Sequence, residues 1–132
     1  CQEYLWKLLL DGTSPVEFSS LGRWWGTDPS TRRQEEIDIM GEQDNKTALF
    51  GECKWRQEPV DVGVLETLVN RSRLFHYSKV ELYLFAKIGF TSGCMEQAEQ
   101  MGNVHLVTYQ DILNALQPEK NNAKKEGTLW RP

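Results

Sequence analysis

Basic residues are in short supply: 15 Lys and Arg stand against 19 Asp and Glu, a formal net charge of −4. Modules that bind nucleic acid indiscriminately draw most of their affinity from Lys and Arg neutralising phosphates. The charge therefore argues against a general nucleic-acid-binding module, and any DNA contact must be local or supplied by another part of the protein. Long apolar runs are missing as well. Nothing approaches the ~18 consecutive apolar residues of a membrane-spanning helix, and no basic segment followed by an apolar one marks a secretory signal. The expectation is a soluble, cytoplasmic protein with no membrane partner.

Cysteine is sparse. Cys1, Cys53 and Cys94 form an odd, widely spaced set without a His or Cys neighbour at metal-binding spacing, which sets aside disulfides and structural zinc. No Gly-x-x-x-x-Gly-Lys-Ser/Thr phosphate loop occurs, and no helix-turn-helix is visible that would read base sequence.

What is present suits one α/β core. A chain of 132 residues, 39% hydrophobic, can bury one ordinary core and not two. It opens on Cys1 directly inside the helical pattern Gln2-Glu3-Tyr4-Leu5-Trp6-Lys7-Leu8-Leu9-Leu10, so the expectation is a fragment of a longer polypeptide whose first helix is truncated. Leu5, Leu8 and Leu9 fall at i, i+3, i+4, and the Asp11 to Pro15 stretch breaks the helix.

Strands are expected near 21–25, 35–42 and 47–55. Residues 61–75 read as a helix capped by Asp61, with Leu65, Leu68, Ser72 and Phe75 on one side and Arg71 and Arg73 off that stripe. The continuous apolar run 80–86 reads as a strand buried on both faces, 91–101 as a helix and 104–107 as the last strand. Thr108 with Asp111 three residues on opens a terminal helix. The order, helix, three strands, helix, strand, helix, strand, helix, gives a mixed sheet with helices on both sides. The domain is expected over 1–117, with a polar tail over 118–132.

Chemistry concentrates on the second and third strands. Regular alternation puts Glu36 and Asp38 on one face and Ile37 and Ile39 on the other, and likewise Glu52 with Lys54 against Leu49, Cys53 and Trp55. The acids share a face only if paired positions sum to an even number, which requires an odd loop. A three-residue loop at Asp44-Asn45-Lys46 pairs 43 with 47 and sets Asp38 opposite Glu52, Cβ atoms ~5 Å apart. Facing carboxylates repel and resist ionisation, so the arrangement calls for a hard divalent cation, Mg²⁺ or Mn²⁺. Lys54 beside it would steady an attacking water or the charge of a phosphorane. An acidic-x-Lys triplet is weak by itself, and Asp44-Asn45-Lys46 matches it too. Glu52-Cys53-Lys54 differs from that decoy in lying inside an apolar strand, where unpaired charge is costly.

Glu35-Glu36-Ile37-Asp38-Ile39 and Glu52-Cys53-Lys54-Trp55, with thirteen residues between Asp38 and Glu52, resemble the PD-(D/E)xK nuclease superfamily. With Leu21-Gly22-Arg23-Trp24-Trp25-Gly26 and the run from Val80 to Phe90, the chain is similar over nearly its whole length to the C-terminal domain of prokaryotic DEXX-box ATPases of the AAA+ type. That resemblance implies a restriction-endonuclease-like α/β fold, a mixed central sheet flanked by helices. It implies catalytic residues Asp38, Glu52 and Lys54, with Mg²⁺ or Mn²⁺ held by Asp38, Glu52 and the backbone carbonyl of Cys53, and with Glu36 supporting these ligands from behind. The superfamily takes a further acid from its first helix, here Glu3 or a residue preceding this sequence. The implied partners are an upstream ATPase domain of the same polypeptide, through which alone ATP would act, then DNA and a second copy of the chain.

Blander readings stand beside these. The hairpin acids form a surface ladder if Lys54 only neutralises them, and a nuclease fold can persist as a non-catalytic docking or regulatory domain. Of Trp24 and Trp25, one is expected in the core and one outside, where it would stack on exposed bases. Arg23, Arg32, Arg33, Arg56, Arg71 and Arg73 read mainly as a solvated set, Arg23, Arg71 and Arg73 being the candidates to meet phosphate. His76 and His105 fall in different elements and read as structural or exposed.

Overall fold

The structure, a computed structural model, describes residues 1–117; the expected polar tail over 118–132 lies outside the described residues. Helix α1 (Gln2–Leu10) buries Leu5 completely. It stops where Gly12 adopts a left-handed backbone, φ 75°. There the amides of Gly12 and Thr13 turn back onto the carbonyls of Leu9 and Leu8 at 3.1 and 2.9 Å, satisfying two of the carbonyls a helix end leaves open.

Three antiparallel strands follow, β1 (Gly22–Thr27), β2 (Gln34–Asp44) and β3 (Thr47–Lys54). The chain then crosses over through α2 (Val62–Ser72) and a 3₁₀ turn (Arg73–Phe75) to β4 (Lys79–Ala86), which lies parallel to β3. A second crossover through α3 (Ser92–Met101) leads to β5 (Val104–Thr108), parallel to β4, and α4 (Tyr109–Leu116) ends the described chain. The sheet order is β1-β2-β3-β4-β5. This is the expected mixed sheet, and the arrangement is a restriction-endonuclease-like α/β fold.

The helix starts follow from their caps. The Asp61 side chain accepts from the Val64 amide, the Thr91 hydroxyl from the Cys94 amide, and Thr108 and Asp111 form the reciprocal capping box. Each satisfies an amide donor that the first helical turn leaves without a partner.

Both faces of the sheet are covered. Ile37, Phe50, Leu82 and Leu84 pack with Leu65 and Leu68 of α2 and with Cys94 and Ala98 of α3. Ile39, Leu49, Tyr83 and Phe85 pack with Leu5 of α1 and Ile112 of α4. Leu82 and Leu84 on one face and Tyr83 and Phe85 on the other account for the continuous apolar run in β4, since successive side chains alternate across a strand buried on both sides.

One expectation fails here. Ile37 and Ile39 were to share a face, yet they lie in different clusters. The cause is a bulge: Trp24 pairs with Ile37 but Gly22 with Met40, so Asp38 and Ile39 together oppose Arg23. An extra residue on one strand reverses its alternation from that point on. Among the described residues no helix is long and apolar enough to cross a membrane.

Candidate metal and phosphodiester site

The bulge and the hairpin register together place the acids. Ile39 pairs with Gly51, Met40 with Phe50, Gly41 with Leu49 and Glu42 with Ala48, the even-sum register expected. But the bulge begins at Asp38, so that Asp38 lies with Ile39 towards α1 and not on the Glu52 face as expected, though its charge still reaches Glu52. The turn is built differently from the three-residue loop expected. Asp44 pairs with Thr47 and the extra residue is absorbed as an irregularity at Gln43. The Asp44 carboxylate accepts from the Lys46 amide at 2.8 Å, a side-chain-closed turn that tightens the loop to Asn45-Lys46.

Beyond Ile39 and Gly51 the ladder ends, and the Cys53 amide donates to Asp38 Oδ2 at 3.0 Å. A carboxylate thus takes the place of a strand carbonyl where β2 and β3 part. Glu52 shares the α2-side face of β3 with Phe50 and is only 6% exposed. Lys54 Nζ lies 3.4 Å from its Oε1, and Arg71 Nη1, from α2, lies 3.8 Å from its Oε2. That Oε2 is buried and has no hydrogen-bond partner. Burial, and then the charge of Asp38, holds the Glu52 carboxyl above the usual carboxylate range, against the pull of Lys54 and Arg71. The Cys53 thiol is pushed up to about 11, chiefly by burial.

Arg71 also donates from Nε to Glu35 Oε2 at 2.9 Å, so Glu35 is the acid linked to Glu52 through a shared guanidinium. Glu36, expected in that role, instead pairs with Arg23 of β1. The same bulge explains both: with alternation reversed at Asp38, Glu35 and Ile37 share the face of Glu52. A signal for Glu35 existed in sequence only as the run Glu35-Glu36, which parity counted from Asp38 resolves the wrong way.

Glu3 is exposed and lines an open groove of about 720 Å³ with Gln2, Arg23, Asp38 and Cys53. Among the described residues no three His, Cys, Asp or Glu side chains converge to hold a metal, so the carboxylate set at this point is Asp38 with Glu52. Of the candidate phosphate contacts, Arg23 and Arg71 are both engaged by acids, and Arg73 faces a separate cavity beside Leu65, Glu66 and Gln97. Arg71 and Arg33 line a further cavity of about 430 Å³ with Asp28 and Glu35. His105 Nε2 lies 2.6 Å from Glu81 and its ring stacks on Tyr83, while His76 is exposed in a left-handed turn.

Trp24 packs edge-on against Phe75 and Trp25 is exposed, the expected division between the two. Trp55 departs from expectation. Placed by alternation with the apolar Leu49 and Cys53, it stands 49% exposed, one residue past the end of β3, because the sheet and its covering helices end there.

The profile of the family DUF234, described as archaeal and bacterial proteins of unknown function, matches residues 1–71, a span that includes Asp38, Glu52, Lys54 and Arg71. No curated protein matches the chain. A solved structure, "Crystal Structure of Protein of Unknown Function AF1548", is similar with a TM-score of 0.50 at 18% sequence identity. The match covers 87% of this chain and 65% of that one, so the chain spans less than two thirds of that neighbour's length, and at this identity the likeness speaks for the fold alone. With more than half of its length matched by the family profile, the chain belongs to the DUF234 family of archaeal and bacterial proteins.

Proposed function

We propose that this domain carries a metal-dependent phosphodiesterase site of PD-(D/E)xK type, acting on DNA and joined to an ATPase domain of the same polypeptide. The observation that carries the reading is Glu52: a buried carboxylate beside Asp38, with one oxygen unmatched by any hydrogen bond. Burying a charged group without a partner is costly, and an unmatched carboxylate oxygen near a second carboxylate suits a hard divalent cation. Asp38, Glu52 and the Cys53 carbonyl would hold Mg²⁺ or Mn²⁺, which when bound polarises a phosphate oxygen and acidifies a water. Lys54, within 3.4 Å of Glu52, supplies positive charge where negative charge develops on the phosphate. Arg71 orients Glu52 and Glu35 from the helix above.

Calorimetric titration with Mn²⁺ tests the site. Binding disappears in Asp38→Ala and in Glu52→Ala, while Lys54→Ala keeps binding and loses cleavage by about a hundredfold or more. Unchanged Mn²⁺ binding in both acid variants overturns the assignment.

A second reading, a non-catalytic domain docking on the ATPase half or a partner protein, is favoured by one observation: Lys54 and Arg71 already flank Glu52 with positive charge. Incubating linear, single-stranded and branched DNA with Mn²⁺ separates the two. Metal binding without cleavage of any substrate supports docking.

A further inference from the structure

The three parallel strands end together. Lys54 of β3 pairs with Ala86 of β4, and Ala86 with Thr108 of β5, so the residues that follow, Trp55, Lys87 and Tyr109, emerge side by side at one rim of the sheet. In open α/β sheets, ligands sit outside the carboxyl ends of the strands. This rim therefore adjoins Lys54 and, through its ion pair, Glu52.

The rim is aromatic and basic in a chain that is acidic elsewhere. Trp55 is 49% and Tyr109 46% exposed, whereas Phe50, Tyr83 and Phe85 are buried. The two exposed rings meet at 5.8 Å and 85°, an edge-to-face contact that holds the indole in one orientation. Arg56, which follows Trp55, and Lys87, the first residue after β4, are exposed. Asp111, the nearby acid on α4, is occupied: its carboxylate accepts from the Thr108 amide at 2.9 Å within the helix cap.

We infer that Trp55 and Tyr109 form a stacking platform for an unpaired nucleobase, with Arg56 and Lys87 meeting the adjoining phosphates. The inference rests on the phosphodiesterase reading for its purpose and names the substrate class, DNA with unpaired nucleotides at the cleavage point. Inside a duplex the faces of the bases are already stacked, and only an extruded or single-stranded base presents its π-face to an indole. Aromatic platforms of this kind accept any base, consistent with the lack of a sequence-reading element. The adjacent cations favour this occupant over an apolar peptide segment, which would leave them unmatched.

The test is fluorescence anisotropy of a labelled twelve-residue oligothymidylate and of a blunt duplex, both in EDTA so that no cleavage intervenes. Trp55→Ala weakens binding of the single strand by between about fivefold and a hundredfold, the range for loss of one stacked base. Tyr109→Ala weakens it less, Trp55→Phe retains most of it, and affinity for the blunt duplex stays unchanged in all three. Thermal unfolding of each variant establishes that it is folded. Absence of oligothymidylate binding by the unsubstituted chain, an unchanged affinity in folded Trp55→Ala, or an equal loss on the blunt duplex overturns the inference, the first of these leaving the rim to a protein segment. Because the measurement needs no metal, the platform stands if the Mn²⁺ titration fails, and falls by itself if only the anisotropy does.

Discussion

The Cys53 amide donates its hydrogen bond to the Asp38 carboxylate at 3.0 Å, across the point where β2 and β3 separate. This ties the acid to the strand that carries Glu52. Replacing Asp38 by alanine leaves that partly buried amide without an acceptor and lowers the free energy of unfolding by about 1 kcal/mol. Asp38→Asn retains an acceptor oxygen and stays close to the parent. Urea denaturation of the two variants checks the difference, and equal stabilities would show that the bond contributes nothing.

Glu52 is expected to trade stability for its position. Its folded carboxyl is held above the ordinary value of 4.5 by burial and by Asp38. Its contribution is thus fully favourable below about pH 4.5 and is lost as pH rises through the raised folded value. Without divalent metal, Glu52→Gln melts higher than the parent at pH 7 and the gap closes towards pH 4. Since ~1 kcal/mol is worth roughly 4 °C in a chain of this size, scanning calorimetry at the two pH values resolves it. A variant melting lower at pH 7 would contradict the burial argument.

Arg71 has the opposite dependence. Its guanidinium serves Glu35 and Glu52 together, and its attraction exists only while they are ionised. Arg71→Ala lowers stability by about 2–3 kcal/mol at pH 7, below the range for a fully buried pair because Arg71 keeps some exposure. The deficit shrinks as the pH falls through the raised value of Glu52 and that carboxylate takes up its proton. A deficit independent of pH would assign the loss to packing of the arginine stem instead.

Cys53 adjoins both Asp38 and Glu52 yet is chemically quiet. Burial holds its thiol near 11, and the thiolate is the reactive form. Alkylation by iodoacetamide, followed by mass spectrometry of the Cys53 peptide, proceeds slowly at pH 8 and accelerates only as pH approaches 11. Rapid labelling at pH 8 of the folded protein would refute this.

The residues gave away the order of elements because each carries its own local signal. Asp61, Thr91 and Thr108 cap the helices, and the β4 run is apolar because both its faces are covered. The even-sum register was also legible, since burying one face constrains the parity of the loop. It survived even though Asp44 closes a shorter turn, because a compensating irregularity at Gln43 restores the count. The bulge at Asp38 and Ile39 was not legible. It depends on Arg23 opposing two residues across a strand pair, and neither glycine nor proline marks it. From that one slip follow the separation of Ile37 from Ile39, the replacement of Glu36 by Glu35 beside Arg71, and the pairing of Glu36 with Arg23. The exposure of Trp55 escaped for a related reason: where a strand outruns its covering helices is decided by the packing of α4, far away in sequence.

The sheet's change from antiparallel to parallel at β3 also sets an order of assembly. Ile39 and Gly51 are twelve positions apart in the hairpin, but Thr47 and Lys79 are thirty-two apart across the α2 crossover. Ring closure over the shorter span carries the smaller entropic penalty, and non-local parallel pairing forms late. Asp38 and Glu52 are therefore brought near each other by a more local pairing than the parallel strands need, whereas the rim of Trp55 and Tyr109 exists only once both crossovers have docked. Native-state hydrogen exchange would register this as earlier opening of β5 than of the β2–β3 ladder, so that partial unfolding dissolves the rim while the acid pair persists.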